Sequence, residues 1–141
     1  MYTTDESFKD LLYEIEMLDN TVLALNNPNA PKDQFFKNLL VESLAIHTRV
    51  LLDFFYCDEK KYKDDIIAQD FLPSNIEWSK IRPPMADILK ESKNKVGKQI
   101  AHLSLDRIKL DKCGKKGWNV SEMYNEMKKV ITCFFKNIKT C

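Results

Sequence analysis

Residues 36–55 carry the pattern that most restricts how this chain can fold. Phe36, Leu40, Leu44, His47, Leu51, Phe54 and Phe55 recur at three- and four-residue steps. That spacing gathers them onto one stripe of an α-helix and scatters them over both faces of an extended strand. A stripe this apolar has to be covered by other elements with apolar faces of their own. The helix is predicted from near Pro31, a good first-turn residue, to about Cys57.

Three further segments offer matching stripes. Leu11, Leu12, Ile15, Leu18, Val22 and Leu25 predict a helix from about Asp5 to Asn26. Thr4 reads as its N-cap, with Asp5 and Glu6 in the first turn, where the helix dipole favours carboxylates. A third helix opens at Pro83-Pro84 and runs to about Ile108, with Leu89, Val96, Ile100 and Leu103 as its seam. Gly97 interrupts it at a cost of about 1 kcal/mol relative to Ala, which points to a bend or a close approach there. A fourth begins at Asn119, which forms a capping-box pattern with Glu122. Its buried positions read as Met123, Met127, Val130 or Ile131, Phe134 and Ile138.

No segment competes with a helical reading. Three glycines and five prolines in 141 residues are too few to turn a chain every eight to twelve residues, as a sandwich or barrel requires. The expected fold is all-α: one domain over residues 1–141, a four-helix bundle with a long connection at about 58–84. That connection starts with a charged run and continues as short helical turns held down by Ile66, Ile67, Phe71 and Trp78. Trp78 and Trp118 read as lids over the ends of the bundle.

Several functional classes find no support in the sequence. The start has no basic stretch followed by an apolar run, and the apolar stretches are only a few residues long, so a cytoplasmic protein with no membrane partner is expected. Cys57, Cys113, Cys133 and Cys141 form no CxxC pair and read as free thiols; no metal and no cofactor is expected. Glycine-rich phosphate loops, HExxH and GxSxG are all missing. Charge, in contrast, is unevenly spread. Leu89–Lys116 holds nine basic residues against three acidic ones, whereas the rest of the chain has thirteen against eighteen. A local basic field of this kind suits a phosphate-bearing partner or an acidic surface on a second copy.

Two histidines mark the candidate chemistry. His47 lies within the apolar stripe, and burial there disfavours its charged form unless a partner compensates. Arg49 and Asp53, spaced i and i+4, are placed for an ion pair on the neighbouring face. In the third helix Lys95, Lys98 and His102 share one face, Asp106 continues it one turn later and Arg107 borders it. Lys95, Lys98, Arg107 and Arg49 are therefore candidate phosphate-binding residues, and Asp53 and Asp106 candidate orienting carboxylates. Metal-independent RNA cleavage needs a base, an acid and cations for the phosphorane charge, which His47, His102 and these cations contain. A purely structural polar cluster that fixes helix register is the alternative.

The stretch His47-Thr48-Arg49-Val50-Leu51-Leu52-Asp53-Phe54-Phe55, the later Ala101-His102-Leu103 with Arg107, and the tryptophans 78 and 118 resemble a group of small bacterial helical proteins. That group in turn resembles the HEPN-like helical bundles. The resemblance implies a homodimer in a toxin or defence setting, with RNA, a nucleotide or a protein as partner, and in many members metal-independent ribonuclease activity. The ribonuclease motif is an arginine four to six residues before a histidine. Here Lys95 stands six residues before His102 and no arginine does. A lysine is a point charge rather than a planar fork, so the pattern implies a degenerate module that binds a phosphate-containing ligand without cleaving it.

Overall fold

The structure, a computed structural model, describes residues 4–96 and 119–138. Its long elements are α1 (Thr4–Asn26), α2 (Gln34–Tyr56), α4 (Asp87–Lys95) and α5 (Val120–Asn137), with the single-turn α3 (Trp78–Ile81) and a 3-10 turn at Ala68–Phe71 in the connection. No strand occurs among the described residues. The all-helical bundle expected from periodicity is the fold.

α1 and α2 form an antiparallel hairpin around the loop 27–33. α2 starts three residues later than Pro31 because Asp33 is the residue that caps it: its carboxylate accepts from the Phe36 amide at 2.9 Å. The two helices are joined by Thr21 and Ser43, whose hydroxyls lie 2.9 Å apart. Likewise α4 starts at Asp87, past the proline pair, with Ala86 at the N-cap position. At α5 the Asn119 side chain accepts from the Glu122 amide at 3.1 Å. The Glu122 carboxylate returns to the Asn119 side-chain amide at 2.9 Å, closing the box through side chains. The expected continuation of the third helix through Gly97, Ile100, Leu103 and Ile108 lies outside the described residues, as does Trp118.

The core gathers Leu11, Ile15, Leu18 and Val22 of α1, Leu44, Leu51, Leu52, Phe54 and Phe55 of α2, Leu89 of α4, and Met123, Met127, Val130, Ile131 and Phe134 of α5. Both Val130 and Ile131 are buried, so α5 presents a stripe wider than a single row. Leu12, by contrast, is 43% exposed and leaves the predicted α1 stripe. Phe134 is the hub of an aromatic cluster. Its ring meets those of Phe54, Phe55, Phe71, Trp78 and Phe135 at centroid distances of 5.5–6.1 Å and steep interplanar angles, the edge-to-face geometry that the ring quadrupoles favour. Thr48, fully buried between α2 and α5, satisfies its hydroxyl on the Met123 sulfur at 3.6 Å.

The connection is packed against the bundle, with Ile67, Ala68, Leu72 and Trp78 buried; Ile66 is exposed and does not pin it. Trp78 is an internal wedge rather than a lid. At 2% exposure its ring lies against Phe55 and Phe134, and its indole N–H donates to the Phe55 carbonyl at 2.6 Å. Buried in this way, Trp78 offers no face on which a base could stack.

The same carbonyl, in the last turn of α2 where helix carbonyls lack intrahelical donors, also accepts from Arg82 at 3.1 Å. Arg82 forks onto Asp58 at 2.8 and 3.2 Å and lies over the Tyr56 ring at 5.1 Å. Both ends of the connection are thereby tied to one another and to the C-terminus of α2, where a cation is favoured by the helix dipole. Burial raises the Tyr56 phenol above its ordinary pKa, and the Arg82 charge partly offsets that rise. Within the connection, the Gln69 side chain bridges the 3-10 turn to α3, donating to the Ile76 carbonyl and accepting from the Trp78 amide.

Candidate functional site

An open groove of about 620 Å³ runs between α1, α2 and the connection, and Lys93 of α4 reaches its wall. Leu11, Leu51, Phe54 and Ile67 form an apolar floor. Around it stand Arg49, Lys61 and Lys93, together with the carboxylates of Asp10, Glu14, Asp53 and Asp65. A volume of this size lies within the range of small-molecule sites, and an apolar floor with a few polar groups at the rim is their usual make-up.

Helical spacing sets much of the rim. Arg49 and Asp53 form the expected i, i+4 pair, Nε to Oδ2 at 3.5 Å. Lys93 approaches the other oxygen of the same carboxylate at 3.3 Å. All three side chains are between 43% and 50% exposed, so these pairs contribute little stability and are open to exchange. Asp53 thus serves two cations from two helices, and it is not the partner of the imidazole.

That partner is Glu14 of α1. Its Oε2 lies 2.6 Å from His47 Nδ1, and the edge of Tyr13 meets the imidazole at 6.0 Å. The His47 side chain is 12% exposed, so the partly desolvated histidine expected from its place in the stripe is present. A carboxylate on Nδ1 holds the ring in one orientation and directs its Nε2 away from α1. Glu14 also lines the groove, which connects the histidine to the rim.

On the connection side, Asp65 accepts from the Tyr62 amide at 2.8 Å and so shapes the loop that carries Tyr62. The Tyr62 ring is 60% exposed, with the Lys61 ammonium over it at 5.3 Å. Cys57, a free thiol, lines the groove next to them.

Of the residues singled out from sequence, His47, Arg49 and Asp53 are brought to this groove or its edge. Lys95 is half-buried at the end of α4, two residues beyond Lys93. Lys98, His102, Asp106 and Arg107 lie outside the described residues, and so do Cys113 and Cys141. Glu14, Lys61, Tyr62 and Lys93 are site residues that periodicity did not mark. No group of three or more His, Cys, Asp or Glu side chains with metal-binding geometry occurs among the described residues.

Comparison with protein-family models, curated proteins and solved structures gives no match. No helix among those described is long and apolar enough to cross a membrane.

Proposed function

We propose that this chain is a non-catalytic, HEPN-like binding module whose groove takes a ligand carrying a single phosphate group, of the size of a mononucleotide. One observation carries the reading: Arg49 and Lys93, from separate helices, converge on the two oxygens of a single exposed carboxylate at the groove rim. Asp53 there occupies the position of an anion. A phosphate that replaced it would meet a guanidinium and an ammonium already gathered, with Lys61 across the groove. The apolar floor and the exposed Tyr62 ring suit the flat, partly apolar body of a base or sugar.

The carboxylates select against a long polyanion. Asp10, Glu14, Asp53 and Asp65 offset the three cations, so the groove lacks the broad positive field that draws RNA to a surface. A compact monoester needs only the Arg49–Lys93 corner.

Isothermal titration with adenosine monophosphate and with adenosine tests this reading. The nucleotide is expected to bind at least tenfold more tightly than the nucleoside. Lys93→Met should abolish the difference, and Asp53→Asn should tighten nucleotide binding by freeing both cations. Equal binding of nucleotide and nucleoside, or no binding of either at millimolar concentration, overturns it.

The Glu14–His47 pair favours a second reading, a metal-independent ribonuclease with His47 and His102 as base and acid. A carboxylate-oriented imidazole is the arrangement that general acid–base catalysis uses. Incubation with labelled RNA in EDTA separates the two. Cleavage lost in both His47→Ala and His102→Ala supports the enzyme, and intact RNA at high protein concentration removes it.

A further inference from the structure

We infer that Asp10 is the specificity-determining residue of the groove: it selects a ribose 5′-phosphate by accepting hydrogen bonds from the 2′- and 3′-hydroxyls of the sugar. Given a phosphate at the Arg49–Lys93 corner, on which this rests, Asp10 decides what kind of molecule carries it. Three of the four groove carboxylates are already engaged within the protein. Asp53 holds Arg49 and Lys93, Glu14 holds His47, and Asp65 accepts from the Tyr62 amide. Asp10 differs from them. It is exposed, it lines the groove, and it makes no side-chain hydrogen bond or ion pair with another described residue.

Two contacts fix the register of α1 against α2, Glu14 with His47 and Thr21 with Ser43. The helices run antiparallel, so Asp10, about one turn before Glu14, stands level with residues 51–54 of α2. That is the level of the Asp53 carboxylate, on which Arg49 and Lys93 converge. Packed helix axes lie about 8–10 Å apart, which sets the span from the corner across to Asp10. The hydroxyls of a ribose 5′-phosphate lie about 6 Å from phosphorus, and a hydrogen bond adds about 3 Å. A phosphate in the place of the Asp53 carboxylate therefore brings its sugar edge to Asp10. A carboxylate offers two acceptor oxygens side by side and no donor, so it matches a pair of cis hydroxyls. A 2′-deoxy sugar leaves one of those oxygens without its partner. Leu11, the neighbour of Asp10 on the apolar floor, and the Tyr62 ring remain for the base.

Isothermal titration of the full chain with adenosine monophosphate and 2′-deoxyadenosine monophosphate, each beside its nucleoside, is the test. The wild-type chain is expected to bind the ribonucleotide at least tenfold more tightly than the 2′-deoxy compound, the effect of one hydrogen bond to a charged group. Asp10→Ala, with an unchanged circular dichroism spectrum, should bind the two equally. It should still prefer each nucleotide over its nucleoside, because the Arg49–Lys93 corner is intact. Equal binding of the two nucleotides by the wild-type chain, both still ahead of their nucleosides, overturns the role of Asp10 and leaves the phosphate reading standing. A preference for the ribonucleotide that survives in Asp10→Ala overturns it too. Absence of any preference for nucleotide over nucleoside removes both.

Discussion

Truncation of Phe134 to alanine should be the most damaging single change in the described core. The side chain is fully buried and its ring is shared by five aromatic neighbours drawn from α2, α5 and the connection. Removing a buried phenyl group costs about 3–5 kcal/mol through lost transfer energy and the cavity left behind. Edge-to-face pairs add about 0.5–1.5 kcal/mol each, but pairs that share one ring do not add independently, so the expected loss is at the upper end, about 4–5 kcal/mol. Unfolding entropy for a chain of 141 residues comes to roughly 0.3 kcal/mol/K, so the melting midpoint should fall by about 13–17 °C. Phe134→Leu keeps most of the burial while removing the aromatic pairing, and should lose about 1.5–2.5 kcal/mol. Urea unfolding followed by circular dichroism reads both variants. A loss below about 1.5 kcal/mol for Phe134→Ala, with the urea slope unchanged, would refute the view that this ring joins the connection to the bundle.

Other perturbations follow from the same geometry. Tyr124 donates to Asp19 at 2.6 Å, and desolvation followed by that carboxylate pushes its pKa up to about 12 from an ordinary 10. Because the folded-state value is the higher one, the contribution is complete below pH 10 and is lost as pH rises toward 12; Tyr124→Phe should flatten the alkaline limb of the stability profile in that window. Arg82→Met removes the fork onto Asp58 and one donor to the Phe55 carbonyl. It should cost about 1–3 kcal/mol in urea unfolding; a change within a few tenths would show that the latch is idle. Glu14→Gln replaces the carboxylate beside His47 with a neutral amide. Urea unfolding should show a loss of about 1 kcal/mol, since a hydrogen bond to a carboxylate becomes one to a neutral amide; an unchanged stability would detach Glu14 from the histidine.

Much of the architecture could be read from spacing. The stripe of α5 identifies its core nearly residue by residue, since apolar periodicity and burial are the same physical fact; that of α2 finds Leu44, Leu51, Phe54 and Phe55, but Phe36 and Leu40 are only half-buried and Ala45, Thr48 and Leu52 go unmarked. The helix starts were less legible. Pro31 and Pro83-Pro84 are permitted in a first turn, but the backbone begins where a capping group and the approach of a neighbour allow, at Asp33 and Ala86. Trp78 reads from sequence as a lid because nothing local offers its N–H a partner; only tertiary packing brings that N–H to the Phe55 carbonyl. Site residues divided in the same way. Arg49–Asp53 is local and visible at i, i+4, whereas Glu14–His47 and Lys93–Asp53 cross between helices and have no local signature. A hairpin argument does reach Glu14: it lies sixteen residues before Ala30 in the α1–α2 loop, and His47 lies seventeen after.

The single carbonyl of Phe55 has a further consequence for how the molecule opens. Trp78 and Arg82 both fasten the connection there, and Lys61, Tyr62, Asp65 and Ile66 of that connection form one wall of the groove. Release of this fastening is a sub-global opening, in which the α1–α2 hairpin keeps its own hydrogen bonds while the groove loses a side. Amide exchange in residues 61–78 should therefore form one cooperative unit of lower stability than α2. Any molecule that fills the groove would slow exchange throughout that unit, including at Trp78, which it never touches.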